Sequence, residues 1–232
     1  VKAATVVPEN RDRELPSIHA QIMLFDDETG QLSALVDGTA VTAWKTAADS
    51  ALGCDLLARG DAKTLLMVGA GAMAAPLIAA HRTVRPGIER VLIWNRTQAN
   101  AAALAETDET FEVASDLEAA IAQADIICCA TMSSEPILPG ANIRPGTHVD
   151  LVGPNLINKR EADDELHRRG NWFVDSFDTT LDHIGELAIP LKQGTISRDA
   201  VRGDLHALVA QQAGRVSDDQ ITVFKNGGGA HL

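Results

Sequence analysis

Short apolar runs separated by turns open the chain. Residues 2–7, 18–25 and 32–36 read as strands, and the turn at 26–30 makes the last two an antiparallel pair. The pattern then changes. From 41 to 59 small and apolar residues recur at helical spacing, Gly60 marks the stop, and Asp61 begins the next link. Beyond it strand and helix alternate: strands at 65–68 and 91–94, helices at 72–81 and 99–106, and a short strand near Phe111. A helix at 117–123, strands at 126–130 and 148–152, a helix at 162–169 and a last strand at 172–175 continue the series. Asp164 and Glu165 stand four residues before Arg168 and Arg169, the spacing of helical ion pairs. Repeated alternation of this kind predicts a parallel sheet covered on both faces, a doubly wound α/β fold. The tail, 221–225 followed by glycines at 227–229, returns to β character and is expected to rejoin the first segment.

Composition narrows the function classes. The 232 residues suit one large domain or two interleaved smaller ones, and 45% hydrophobic with 22% charged residues excludes a disordered or fibrous chain. Twenty basic against 32 acidic residues give a net charge of −12, which repels phosphate backbones and anionic headgroups. With 3% aromatics and no tyrosine, base stacking is also a poor expectation, so neither nucleic acid nor membrane is expected as partner. The longest uncharged stretch, 65–80, is broken by Gly69, Gly71 and Pro76 and falls short of the roughly 20 residues that span a bilayer. No secretory leader pattern precedes the first strand. Cys54, Cys128 and Cys129 have neither disulfide-framework nor metal-ligand spacing, which points to a reducing cytoplasm. The seven histidines lack paired ligand spacing, so no metal is expected.

The strongest local signal is Gly69-Ala70-Gly71-Ala72-Met73-Ala74, placed between a strand and a helix. In a dinucleotide site the first glycine permits the tight turn, the second lets backbone amides approach a pyrophosphate, and a small third residue lets helix and strand pack closely. Gly69, Gly71, Ala72 and Met73 are therefore candidate cofactor contacts, with the helix-terminal N–H groups as the anion donors. The next strand ends Trp94-Asn95-Arg96-Thr97, where an NAD site usually carries an acidic residue. Arg96 can pair with a ribose 2′-phosphate, and Asn95 and Thr97 can donate to it, so NADPH is the expected cofactor, with NAD possible. The other reading of Arg96 is a solvated arginine in a turn. Two further strand ends, at Thr131 with Ser133 and at Val152, should line the same cleft, although both hydroxyls would also serve as turn caps.

In the order of these motifs the chain resembles the ornithine cyclodeaminase/mu-crystallin family. The likeness runs through Lys2 with Pro8 and Asn10, Leu24-Phe25-Asp26, residues 42–48 and the glycine bend. It continues through Trp94 to Thr97, residues 135–138, Arg160-Glu161, residues 163–166 and Thr222-Val223-Phe224-Lys225. Mu-crystallin members, NADPH-dependent ketimine reductases whose second strand also ends Trp-Asn-Arg-Thr, are the nearer likeness. Family chains are longer at both ends.

The resemblance implies a Rossmann sheet (62–205) inserted in a smaller β-rich domain (1–61 with 206–232) that carries substrate contacts and the homodimer interface. It implies that Lys2 touches substrate and that Ser17 is a small hydroxylated pocket residue. Lys45 stands where the family usually has an arginine for the substrate carboxylate, which keeps the charge but loses the bidentate fork. Without the resemblance, Lys2 and Lys45 would read as surface charges. Asn155 falls where ornithine cyclodeaminase carries the aspartate that exchanges protons with its amine substrate. An amide cannot accept that proton, which favours reduction over deamination.

The expected activity is thus reduction of a small α-imino acid, cyclic or linear, with Lys2 and Lys45 holding the carboxylate and Lys2 or a water supplying the proton. The reverse reaction is amino-acid dehydrogenation. Ornithine cyclodeamination with tightly held NAD, and cofactor binding without turnover, are the alternatives.

Overall fold

The computed structural model describes residues 1–228 apart from Glu14, Pro16 and Ser17, and it resolves two compact units, Val1–Thr46 and Ala47–Leu232. In the first unit β1 (Lys2–Val6), β2 (Ile18–Phe25) and β3 (Leu32–Asp37) form an antiparallel sheet in the order β1-β2-β3, with Lys2 opposite Ile22 and Ile22 opposite Val36. Asp26 makes the β2–β3 turn by accepting from the Thr29 backbone (2.8 Å) and hydroxyl (2.7 Å), and Gly30 follows at φ +68°. The boundary between the units falls inside α1 (Gly38–Leu57).

The second unit follows the alternation seen in the sequence. It contains β4 (Thr64–Val68), α2 (Ala74–Val84), β5 (Arg90–Trp94), α3 (Gln98–Ala105), β6 (Phe111–Val113), α4 (Leu117–Ile121), β7 (Ile126–Cys129) and β8 (His148–Leu151). Then come α5 (Asp164–Arg169), β9 (Asn171–Val174), α6 (Phe177–Thr180), α7 (Gly185–Gln193), β10 (Val201–Asp204), α8 (Leu205–Val209) and β11 (Thr222–Lys225). The sheet is eight-stranded in the order β10-β9-β11-β8-β7-β4-β5-β6, and every pairing is parallel.

Strand side chains alternate between two cores. Leu66 and Val68 of β4, with Ile127 and Cys129 of β7, belong to one; Leu65 and Met67, with Ile126 and Cys128, belong to the other. A strand buried on both faces must be apolar at successive positions, which is why β4 and β7 read as uninterrupted apolar runs. Asp116, Asp163 and Asp204 cap α4, α5 and α8 by accepting from the backbone N–H three residues on, a device worth about 1 kcal/mol each.

Three expectations need correction. The tail strand does not return to the first segment: β11 lies between β8 and β9. Its four residues are all buried, so it needs a neighbour on each side and cover on both faces, which the interior of the parallel sheet supplies. The domain division drawn from the resemblance, 1–61 with 206–232 against 62–205, therefore differs from the compact units, since residues beyond 206 complete the large sheet. Finally, Arg168 does meet Asp164 (3.9 Å) and Glu165 (3.6 Å), but Arg169 turns away and donates to the carbonyls of Gly140 and Ile143.

Candidate active site

The chain order of the sheet reverses between β4 and β7. β5 and β6 extend the sheet on one side of β4, while β7 and β8 extend it on the other. In open parallel sheets the crevice beyond the carboxyl ends at such a reversal is where ligands bind. Gly69 follows β4 there with φ +107°, a left-handed conformation that favours glycine, and a Cβ on it would lie 2.6 Å from the Ala130 carbonyl oxygen beyond β7. Gly71 has open space around its Cα, as backbone approach by a pyrophosphate requires. The predicted helix start moves from 72 to 74: Ala74 N–H closes a turn onto the Gly71 carbonyl, and Met73 occupies the cap position without a side-chain acceptor. The first-turn N–H groups of α2 thus have no side-chain cap, and Ala74 is buried where a larger side chain would separate helix from sheet. The bend fits a dinucleotide.

At the end of β5, Arg96 and Thr97 are exposed, and among the described residues Arg96 has no ion pair. Thr97 holds the cap position of α3 without using its hydroxyl there. Asn95 makes two bonds within the protein. Its Oδ1 accepts from Ala70 N–H (3.1 Å) and its Nδ2 donates to the Thr97 carbonyl (2.9 Å), so the carboxamide ties the glycine bend to the tip of β5.

The hydroxyls beyond β7 are also committed. Thr131 donates from both N–H (2.7 Å) and Oγ1 (2.6 Å) to Glu161 Oε1, and Ser133 Oγ donates to the Glu135 carbonyl (2.6 Å) while its N–H donates to Thr131 Oγ1 (3.2 Å). Both hydroxyl protons are thus engaged within the protein, which leaves acceptor lone pairs to offer a ligand. Beyond β8, Val152 is buried in the second core, its N–H donating to the Cys129 carbonyl (2.8 Å). A side chain on Gly153 would collide with the Glu161 carboxylate. Asn155 is exposed, with its Oδ1 3.4 Å from Lys225 Nζ.

In the first unit, Lys2 is exposed on β1 and Lys45 is half-buried on α1. Ser17 lies outside the described residues.

Sequence reading missed the buried charges. Asp150, Glu161, Asp175, Glu186 and Lys225 are all essentially inaccessible. Burial pushes the carboxyl groups of Asp150, Glu161 and Glu186 above their ordinary values and pulls the Lys225 ammonium below its own. The histidine reading also gains an exception. His81 of α2, Cys128 of β7 and Asp150 of β8 place ligand-type atoms within 4.8 Å of one another. Cys128 Sγ donates to Asp150 Oδ2 (3.3 Å), Ser50 Oγ donates to Asp150 Oδ1 (3.0 Å), and His81 Nδ1 bonds the Leu77 carbonyl (2.8 Å). Residues brought together from separate elements leave no spacing pattern to find.

Comparison with known proteins decides the family. The sequence model of the ornithine cyclodeaminase/mu-crystallin family matches residues 1–230. This chain belongs to that family. Among its members, a Delta(1)-pyrroline-2-carboxylate reductase of Paracoccus denitrificans is 51% identical over all of this chain and 75% of its own length. The structure of the Thermococcus litoralis Delta(1)-pyrroline-2-carboxylate reductase in complex with NADH and L-proline superposes with a TM-score of 0.93, at 35% identity over 97% of this chain and 71% of that one. The iminosuccinate reductase of Paracoccus denitrificans in complex with NAD+ superposes with a TM-score of 0.86, at 33% identity over 97% of this chain and 70% of that one. As a member of the family, the chain carries the fold that the motif order implied, and no helix among its described residues is long and apolar enough to cross a membrane.

Proposed function

We propose that this chain reduces the C=N bond of a cyclic α-imino acid of the pyrroline-2-carboxylate class to the corresponding amino acid, with NADPH preferred over NADH. The observation that carries the activity is the 51% identity, along the whole chain, to a relative named for that reaction. The geometry agrees with it through the Gly69 bend and the uncapped start of α2 at the reversal of the sheet.

Gly69, Gly71, Ala72 and Met73 would hold the pyrophosphate, Arg96 with Thr97 the 2′-phosphate, and Val152 with the acceptor atoms of Thr131 and Ser133 the nicotinamide side. When bound, the cofactor supplies a hydride to the imine carbon. The chain supplies the rest. Lys2 and Lys45 pair with the substrate carboxylate, Ser17 contributes a pocket hydroxyl, and Lys2 or a water gives the proton that the product nitrogen needs. Fixed cations of this kind act on developing charge without reorganising. The preference for NADPH rests on Arg96, a guanidinium at the strand tip where an NAD site would carry a carboxylate that repels a phosphate.

Asn155 argues against the cyclodeaminase reaction, because its Oδ1 faces the Lys225 ammonium and an amide nitrogen has no lone pair for a substrate proton. The first unit is the proposed subunit contact of a homodimer. Its Leu24, Phe25, Leu32 and Leu35 stay about half or more exposed, at 48% or above, which covering by a second copy would explain.

The deciding experiment is a spectrophotometric screen of NADPH and NADH against pyrroline-2-carboxylate, piperideine-2-carboxylate, and pyruvate or oxaloacetate with ammonia. Oxidation of NADPH fastest with a cyclic imino acid supports the reading. Ammonia release from ornithine without added reductant contradicts it.

A further inference from the structure

Burying an ion costs several kcal/mol unless hydrogen bonds and opposite charge compensate it. The second unit buries both Glu161 and Lys225 completely, and neither is used by the reaction just described. What they touch is the backbone beyond two adjacent strands. Glu161 Oε1 accepts from the N–H and hydroxyl of Thr131 (2.7 and 2.6 Å) and from the Cys129 thiol (3.1 Å), while Oε2 accepts from Gly153 N–H (2.9 Å). One carboxylate therefore fixes the second residue past β7 and the second past β8. Lys225, at the end of β11, directs Nζ to the carbonyls of Leu151 (3.2 Å) and Gly153 (3.5 Å) and to Asn155 Oδ1 (3.4 Å). Gly153 is thus held at its N–H by the acid and at its C=O by the base.

Glu161 is itself anchored. Its N–H donates to Glu186 Oε2 (2.7 Å), the Ala162 N–H donates to Glu186 Oε1 (3.0 Å), and its carbonyl accepts from the N–H groups of Ile137 (2.8 Å) and Leu138 (3.0 Å). Charges so fully committed to the backbone of two loops are placed to set loop geometry.

We propose that Glu161 and Lys225 are positioning residues for the nicotinamide half of the site, locking segments 130–133 and 152–155 in the conformation that receives the cofactor and fixing the Asn155 amide with its oxygen toward the lysine. This rests on the reading of the chain as a nicotinamide-dependent reductase. It assigns these side chains no contact with the reacting atoms. They act through Thr131, Gly153 and Asn155.

The test uses Glu161→Gln, Lys225→Met, the double variant, and the pair Thr131→Ser and Thr131→Val. Each is measured by fluorescence titration with NADPH and with NADH, by thermal unfolding, and by KM and kcat for the imino acid. Glu161→Gln removes one acceptor oxygen, and a tenfold or larger loss of cofactor affinity is expected. Lys225→Met should lose at least as much. The double variant, with both charges gone, should recover thermal stability lost by the single variants while cofactor affinity stays tenfold or more down. Thr131→Ser, which keeps the hydroxyl that donates to Glu161, should lose less affinity than Thr131→Val, which should weaken binding several-fold. If a single variant fails to fold, the double variant and the Thr131 pair decide. Wild-type cofactor affinity in the double variant, or equal affinity in Thr131→Ser and Thr131→Val, overturns the proposal. A wild-type chain that binds neither NADPH nor NADH overturns the functional reading itself, and the proposal with it.

Discussion

The backbone at Gly69 runs so close to Ala130 that a Cβ on the glycine would lie 2.6 Å from the alanine carbonyl oxygen, with φ at +107°. Gly69→Ala is therefore opposed by both sterics and backbone strain and is expected to destabilise the protein by roughly 1–3 kcal/mol. Gly71 has open space in place of that carbonyl. Gly71→Ala should leave thermal unfolding within about 0.5 kcal/mol of wild type while weakening cofactor binding, because the added methyl points where a pyrophosphate must approach. Denaturation curves and cofactor titrations on the two variants separate a glycine required by the fold from one required by the ligand.

In the proposed reading Arg96 carries the preference for NADPH. A charge-assisted contact to a phosphate contributes about 1.5–3 kcal/mol, so Arg96→Ala should cost roughly 10- to 100-fold in NADPH affinity and leave NADH nearly unchanged. Arg96→Asp should invert the preference. An aspartate variant that still favours NADPH as strongly as the wild type would remove the argument.

Lys45 is the proposed partner of the substrate carboxylate, where the resemblance implies an arginine in most of the family. Lys45→Ala should raise the KM for the imino acid at least tenfold with little change in cofactor affinity, since the carboxylate loses a cation that the nicotinamide cofactor does not use. Lys45→Arg should retain most activity through the bidentate fork. Steady-state kinetics at saturating cofactor, beside cofactor titrations, check the split.

Burial pushes the Cys54 thiol up from 9.0 to about 12, and Cys128 and Cys129, both also buried, well above the same ordinary value. For groups raised in the folded state, stability is fully present below the unfolded value and is lost as pH rises toward the folded one. Above pH 9 the unfolded chain releases thiol protons that the folded chain keeps, so each cysteine lowers stability by about 1.4 kcal/mol per pH unit. Chemical denaturation between pH 8 and 11 should show this decline, and Cys54→Ala should reduce its slope by one proton's worth. A slope unchanged by that substitution would contradict the assignment.

The alternation from β4 to β9 was legible because a strand buried on both faces must be apolar throughout, and Leu65 to Val68 and Ile126 to Cys129 are. The glycine bend was legible because its backbone geometry dictates residue type. β10 was not, since Arg202 and Gly203 interrupt a four-residue strand whose place is set by pairing with β9. The position of β11 is likewise decided by partners 51 and 74 residues away in the chain, Asn171 and His148 for Thr222. Thr131 and Ser133 could be singled out from their place beyond a strand end, yet what the Thr131 hydroxyl does depends on Glu161, which reaches it from 30 residues further along the chain. Charged residues normally signal surface, so a glutamate and a lysine that organise the strand ends from within the core look unremarkable in sequence.

The reading of the chain as an NADPH-preferring reductase of a cyclic imino acid can be put to one assay. Initial rates of NADPH and NADH oxidation with pyrroline-2-carboxylate, at matched subsaturating cofactor concentrations, test it most directly. Substrate-dependent oxidation is expected with proline as product, and with NADPH at least tenfold the better donor at equal concentration. No oxidation with either cofactor, or production of proline and ammonia from ornithine in the absence of a reductant, would contradict it.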